Sequence, residues 1–225
     1  MQIATENFSE AGLSIPLNRS AEGSGSKKLT KTPGVGFFLA ADVKSVVAIT
    51  DAGREIPLFH YEYAITLPAD EQVDPASETQ RAELLRAAEQ QFLQNVKCAE
   101  QQLERLVGPT LAANCHGWIF FGGRIGIKDE YIDQILQDNG YRMIDQPMQG
   151  DLAIYRDGAM IVHSGLVVTA PDCPPQVESK WGPFSVFRHA ANDYHRGTCQ
   201  FYRSSRPSHA LLLRPTAVSP ASKQE

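Results

Sequence analysis

Downstream of Pro147 the chain becomes a succession of short β-type runs, and this succession constrains the fold more than any other feature. DLAIYR (151–156), MIVHSGLVVTA (160–170), QVESKW (176–181), FSVFRH (184–189) and CQFYRS (199–204) are rich in β-branched and aromatic residues. Turns fall at Asp157-Gly158 and Pro174-Pro175. The stretch just before them reads as helical. A short helix starts at or just before Cys115 and stops at Gly122-Gly123. A second runs from about Lys128 to Asp138, with Ile132, Ile135 and Leu136 inward and Gly140 past its end. Helices followed by a run of strands predict an α+β fold with an antiparallel sheet.

Upstream, VGFFLA, KSVVAIT and EIPLFHYEYAITL read as two or three strands with a hairpin at Asp51-Ala52-Gly53. Leu85, Ala88, Phe92, Val96, Ala99, Leu103 and Leu106 then recur at steps of three and four. That spacing predicts one long amphipathic helix, starting near Asp74-Pro75 or Ser77 and ending at Gly108-Pro109. The expected organisation is a flexible tail over 1–32, strands and the long helix over 33–109, a catalytic core over 110–213 and a flexible tail over 214–225.

The net charge of -5 leaves no electrostatic footprint for nucleic acid. No apolar run is long enough to cross a bilayer, so no integral membrane segment is expected. The N-terminus lacks the basic start and apolar stretch of a secretion signal. A cytoplasmic setting is the default, with signal-independent export left open. Cys98, Cys115, Cys173 and Cys199 form no C-x-x-C pair, and His189, His195 and Cys199 match no common zinc spacing. No metal and no cofactor is expected.

Chemistry concentrates at Asn114-Cys115-His116-Gly117-Trp118. A thiol is a useful nucleophile as its thiolate, which a helix start and a neighbouring imidazolium both favour. The small Gly117 allows another segment or a substrate to come close. A base is then needed, and His163 stands in an apolar strand where packing gives no reason for a histidine. Glu178, on the next strand, reaches the ring if 160–169 and 176–181 pair as a hairpin. Taken singly, an inert cysteine, a core histidine and a solvated carboxylate are the ordinary readings. A helix-start Cys, a strand His and an acid on the following strand are together far more specific.

These residues also carry a resemblance. NCHGW resembles the D-C-S-G motif of NlpC-type cysteine peptidases, with Asn114 and His116 in place of Asp and Ser. GDLAIYRDGAMIVHSGLVV is similar to the block that NlpC-type and CHAP-type amidohydrolases share, and VESKW falls where they place the third catalytic group. The resemblance covers about residues 110 to 205. It implies a papain-like core with the Cys-bearing helix packed on an antiparallel sheet, Cys115 as nucleophile, His163 as base and Glu178 as orienter. It further implies hydrolysis of amide bonds, peptide or isopeptide, in substrates such as peptidoglycan fragments.

Asn114 is a candidate second oxyanion donor beside the Cys115 N–H. Trp118 and Trp181 flank the proposed nucleophile and acid, with core packing the alternative for Trp118. Lys180 shares a strand face with Glu178 and is a candidate for an acidic substrate group, or else a solvated lysine. Tyr194 stands in a loop expected to line the cleft. An inhibitory or delivery protein partner stays open. So do two rival functions: a lipid or protein acyltransferase on the same fold, and a catalytically silent binding module.

Overall fold

The structure is a computed structural model that describes residues 15–16, 35–66, 78–95, 103–169, 175–194 and 196–216. It is a mixed α+β chain built on two antiparallel sheets. The smaller is organised around one long strand, β2 (Val35–Ile49). On one edge β2 pairs with β3 (Glu55–Thr66), and on the other with the short β1 (Ile15–Pro16). VGFFLA and KSVVAIT are thus one strand, with a register irregularity between Val43 and Ala48 that absorbs the break between the two runs.

The long helix is shorter than its periodicity predicts. α1 runs Glu78–Asn95 and buries Leu85, Ala88, Phe92 and Leu93. Glu104–Val107 is not its last turn but a strand, β4. The three-residue step from Leu103 to Leu106 suits a helix, and strand pairing overrides it. β4 joins β9 (Val186–Ala190), Glu104 opposite Arg188 with an ion pair at 2.9 Å. Val96, Cys98 and Ala99 lie outside the described residues.

Then come α2 (Cys115–Phe121), a 3-10 turn at Asp129–Tyr131 leading into α3 (Ile132–Asp138), and the run of strands. These are β5 (Arg142–Ile144), β6 (Leu152–Asp157), β7 (Met160–Val167), β8 (Gln176–Lys180), β9, β10 (Thr198–Arg203) and β11 (Leu212–Pro215). The larger sheet has the order β4-β9-β8-β7-β6-β10-β5. β4 is therefore an edge of the core sheet, and the expected division at 109/110 cuts across it. β11 leaves this sheet and pairs with Val46–Ile49 of β2, so the expected tail begins with a paired strand. The tail reading of 1–32, apart from Ile15-Pro16, and of 217–225 lies outside the described residues.

Strand alternation covers both faces of the larger sheet. Leu152 and Ile154 join Phe120, Phe121, Ile132, Ile135, Ile56 and Leu58 under α2 and α3. Ala153 and Tyr155 join Val167, Val177 and Ala191 on the other face. A third cluster gathers Phe92 and Leu93 of α1 with Trp181, Phe184 and Phe187. The β2–β3 hairpin is stitched to the segment after α2 by paired backbone bonds between Phe59 and Gly126, at 2.7 and 3.0 Å.

Candidate functional site

Cys115 is the first residue of α2, and the chain enters the helix through Asn114. Extended backbone at Asn114 lets its Oδ1 accept from the Gly117 N–H at 3.0 Å, as an N-cap does. The same side chain reaches the strand-like segment that follows, with Nδ2 donating to the Ile127 carbonyl at 2.7 Å. Gly117 makes the close approach. A Cβ there would lie 1.8 Å from the Ile125 carbonyl oxygen, so the expected close neighbour is a chain segment. Gly122, with φ 61°, closes the helix. With seven residues α2 has a weak dipole, and charge on the sulfur depends mainly on side chains.

His116 is the nearest of these and is fully buried. Its Nε2 lies 3.0 Å from Asp129 Oδ1 and its Nδ1 2.8 Å from Ser164 Oγ. Burial acts to lower its pKa. The charge of Cys115 and its hydrogen bond to the ring, with those of Asp129, outweigh burial and raise it from 6.5 to about 10. The Asp129 carboxylate is about half exposed, so the buried ring has an anionic partner at the surface.

His163 sits on β7 opposite Tyr155 and is 1 % exposed. Its ring stacks face to face on Tyr194, centroids 3.9 Å apart and planes 7° from parallel. Tyr194 in turn meets the edge of Trp181 at 5.3 Å. Burial first, then the negative charge of Cys115, push the Tyr194 hydroxyl well above its ordinary pKa. Tyr194 is thus a shared neighbour, stacked on His163 and inside the field of Cys115. Ser164, the next residue of β7, points the opposite way and meets His116.

The remaining expected site residues fall elsewhere. The hairpin between β7 and β8 forms, with Leu166 opposite Glu178 and Val167 opposite Val177. That register places Glu178 on the face of Leu166 and Ser164, and His163 on the other. The Glu178 carboxylate accepts from Arg188 at 2.7 Å. The orienting role assigned to Glu178 is therefore not the one its geometry serves. Lys180 is fully buried, its three N–H bonds directed at the carbonyls of Thr110, Gly182 and Phe184 at 2.8–2.9 Å. All three ammonium donors are used, so it ties loops together instead of meeting an acidic substrate or solvent. The Asn114 amide is likewise committed to Ile127 and not to an oxyanion.

Trp181 is a core residue, packed on Phe92 and Phe187, its Nε1 donating to Ser179 Oγ at 3.0 Å. Trp118 is half-buried and would be 2.8 Å from a Cβ at Gly123, so it lies over the helix end. On the His163 side, Ser179 Oγ meets His189 Nε2 at 2.8 Å. His189 Nδ1 donates to the Ala190 carbonyl, and burial lowers its pKa.

The pair missed in sequence is His116–Asp129, with Ser164 as its third member. One sign was present: a histidine one turn before Phe120, on the face of α2 that is otherwise apolar. His195 lies outside the described residues, and among the described ones no three His, Cys, Asp or Glu side chains converge as metal ligands. Among the described residues no helix is long and apolar enough to cross a membrane. Set against known protein families, curated proteins and solved structures, the chain matches none of them.

Proposed function

We propose that this chain is a cysteine hydrolase that cleaves amide bonds, with Cys115 as nucleophile and His163 as the base that takes its proton and passes it to the leaving amine. The observation that carries the reading is the placement of Cys115 at the first residue of α2, beside a buried imidazole bonded to a carboxylate. In this scheme His163 takes the thiol proton, the sulfur attacks the carbonyl carbon, and the backbone N–H of Cys115 donates to the developing oxyanion. The C–N bond breaks as the leaving amine takes that proton from His163. Water then gives a proton to His163 and attacks the thioester; the acid leaves and the proton returns from His163 to the sulfur.

Cys115 is only 5 % exposed, which favours a slim, extended substrate over a bulky one. Peptide segments meet that demand, and wall-derived peptides are the form that the NlpC-type resemblance implies. A lipid acyl chain would need an apolar channel leading to the sulfur.

The test is turnover of a panel containing a linear peptide, a wall stem peptide, an isopeptide and a lipid thioester. Wild type, Cys115→Ala, His163→Ala and Glu178→Gln are compared, and acyl-enzyme is sought by mass spectrometry. Cys115→Ala and His163→Ala should each lose about 100-fold or more on an amide. Glu178→Gln should stay within about twofold, since its partner is a surface arginine. Amide cleavage that survives Cys115→Ala overturns the proposal. Acyl transfer from the thioester with every amide untouched makes the chain an acyltransferase, and no turnover at all makes it a binding module.

A further inference from the structure

We propose that the groove between α1 and β4 is a binding site for a carboxylate, received by Arg86 and Arg105. Nothing in it depends on Cys115 acting as a nucleophile, and testing it needs no turnover.

The groove encloses about 410 Å³. That volume lies within the range of about 300–1,000 Å³ that small-molecule sites occupy. One wall is α1, where Arg86, Gln90 and Leu93 follow at steps of four and three and so share a face. The other wall is the edge strand β4, which carries Arg105, with Gly108 just beyond its end. Glu89 of α1 joins the two walls and is 2 % exposed. Its Oε1 accepts from Arg105 Nη2 at 2.7 Å, and its Oε2 accepts from the Ser185 N–H at 2.5 Å.

Both oxygens of Glu89 are thus spent, and its charge is balanced by Arg105. The pair also holds the Arg105 guanidinium still, over the Phe187 ring at 5.6 Å. Among the described residues Arg105 uses only Nη2, so it keeps donors for a ligand. Arg86 is exposed and, among the described residues, makes no ion pair or hydrogen bond. The lining therefore sets two guanidinium groups against one carboxylate, a surplus of one positive charge. A guanidinium fork matches a carboxylate or a phosphate equally well in shape. Charge decides between them. A carboxylate balances the groove, whereas a phosphate dianion overshoots it beside Glu89.

The rest of the lining suits the rest of a ligand. Leu93, 3 % exposed, supplies an apolar surface, and the Gln90 amide offers both a donor and an acceptor. Gly108 leaves the space open, since a Cβ there would meet no atom within 4 Å. Ser185, bonded to Glu89 through its N–H, carries a buried hydroxyl with no hydrogen-bond partner among the described residues.

The experiment uses the full chain carrying Cys115→Ala, so that turnover cannot consume a probe. The probes are acetate, an N-terminally capped triglycine with a free carboxylate, the C-terminal amide of that tripeptide, and inorganic phosphate. Calorimetry measures binding, and arginine side-chain NMR reports which guanidinium groups are touched. The free-carboxylate tripeptide should bind saturably and shift the Arg86 and Arg105 signals. Its amide should bind about tenfold or more weakly, as loss of charge-assisted hydrogen bonds implies. Arg86→Gln should weaken the free-carboxylate tripeptide by a similar factor, and it leaves the fold intact because Arg86 is an exposed residue without a partner. Gly108→Leu should weaken it as well, by filling the groove without changing its charge. Both variants keep the Arg105–Glu89 pair. A tripeptide that binds more tightly than acetate identifies a peptide end as the ligand, and equal binding identifies a small acid. Absence of saturable binding by either carboxylate overturns the proposal. So does binding indifferent to amidation or to both variants, and so does phosphate binding more tightly than both carboxylates. Each of these results leaves the hydrolase reading to be judged on turnover alone.

Discussion

His116 and Lys180 both feel the charge of Cys115, and their protonation pulls stability in opposite directions. His116 has its pKa raised from 6.5 to about 10 in the folded chain. Its contribution to stability is therefore complete below 6.5 and is lost as pH rises through about 10. Lys180 is the reverse case. Burial lowers it from 10.5 to about 7, against the charges of Cys115 and Glu89. Between about 7 and 10.5 the unfolded chain binds more protons at this site, so the cost of burying Lys180 eases as pH rises. In wild type the two slopes oppose each other over much of the same window. Comparison with His116→Gln isolates one of them, because Lys180 is present on both sides. The stability advantage of wild type over this variant should be largest near neutral pH and shrink as pH approaches 10. Urea midpoints across that range measure it. A gap that stays constant with pH would mean that the folded ring is neutral.

At the scale of elements, α2 is held by contacts that only small or capping residues permit. A Cβ on Gly117 would sit 1.8 Å from the Ile125 oxygen and 3.0 Å from the Ala113 Cβ, and the first of these is a backbone atom that cannot swing aside. Gly117→Ala should thus cost about 1–3 kcal/mol by overpacking, despite the better helix propensity of alanine. It should also displace Cys115, lowering amide turnover per folded molecule even where the fold survives. A variant as stable as wild type would show that the segment at Ile125 is free to move. α2 was legible in sequence because its stop signal is local, a pair of glycines at 122 and 123; its Asn114 cap showed only in the structure. β4 and β11 were not, because a four-residue strand is defined by a partner far away in the chain. Leu106 fits a helical stripe until Phe187 and Val186 claim its neighbours Arg105 and Val107. The face of Glu178 was hidden for the same reason. Two strands can be recognised as a hairpin while the register, which sets every side chain to one face or the other, stays open. The reach of Lys180 depended on where three loops converge, and no pattern within a strand encodes that.

Across the whole molecule, α1 is coupled to the site and is not an appendage. Phe92 meets the edge of Trp181 at 6.0 Å, Trp181 meets Tyr194 at 5.3 Å, and Tyr194 stacks on His163 at 3.9 Å. Glu89, one turn earlier and 2 % exposed, accepts from Arg105 of β4 and from the Ser185 N–H. The helix therefore braces both the sheet edge and the loop that carries Trp181. An aromatic column of this kind fixes ring orientation, because each edge-to-face contact restricts the next ring. Removing the first ring should loosen the last. Phe92→Ala should cost about 3–5 kcal/mol. It should also reduce amide turnover per folded molecule by about tenfold or more, as misplacement of a proton donor does. Leu93→Ala is the control. Leu93 is as deeply buried in the same cluster, but it makes none of the ring contacts, so its loss should lower stability by a similar order and spare turnover per folded molecule. Ring-nitrogen NMR of His163 reads the same distinction without a substrate: its environment should shift in Phe92→Ala and hold in Leu93→Ala. If the two variants lose turnover only in proportion to their lost stability, then α1 stabilises the fold without positioning His163, and the column is packing alone.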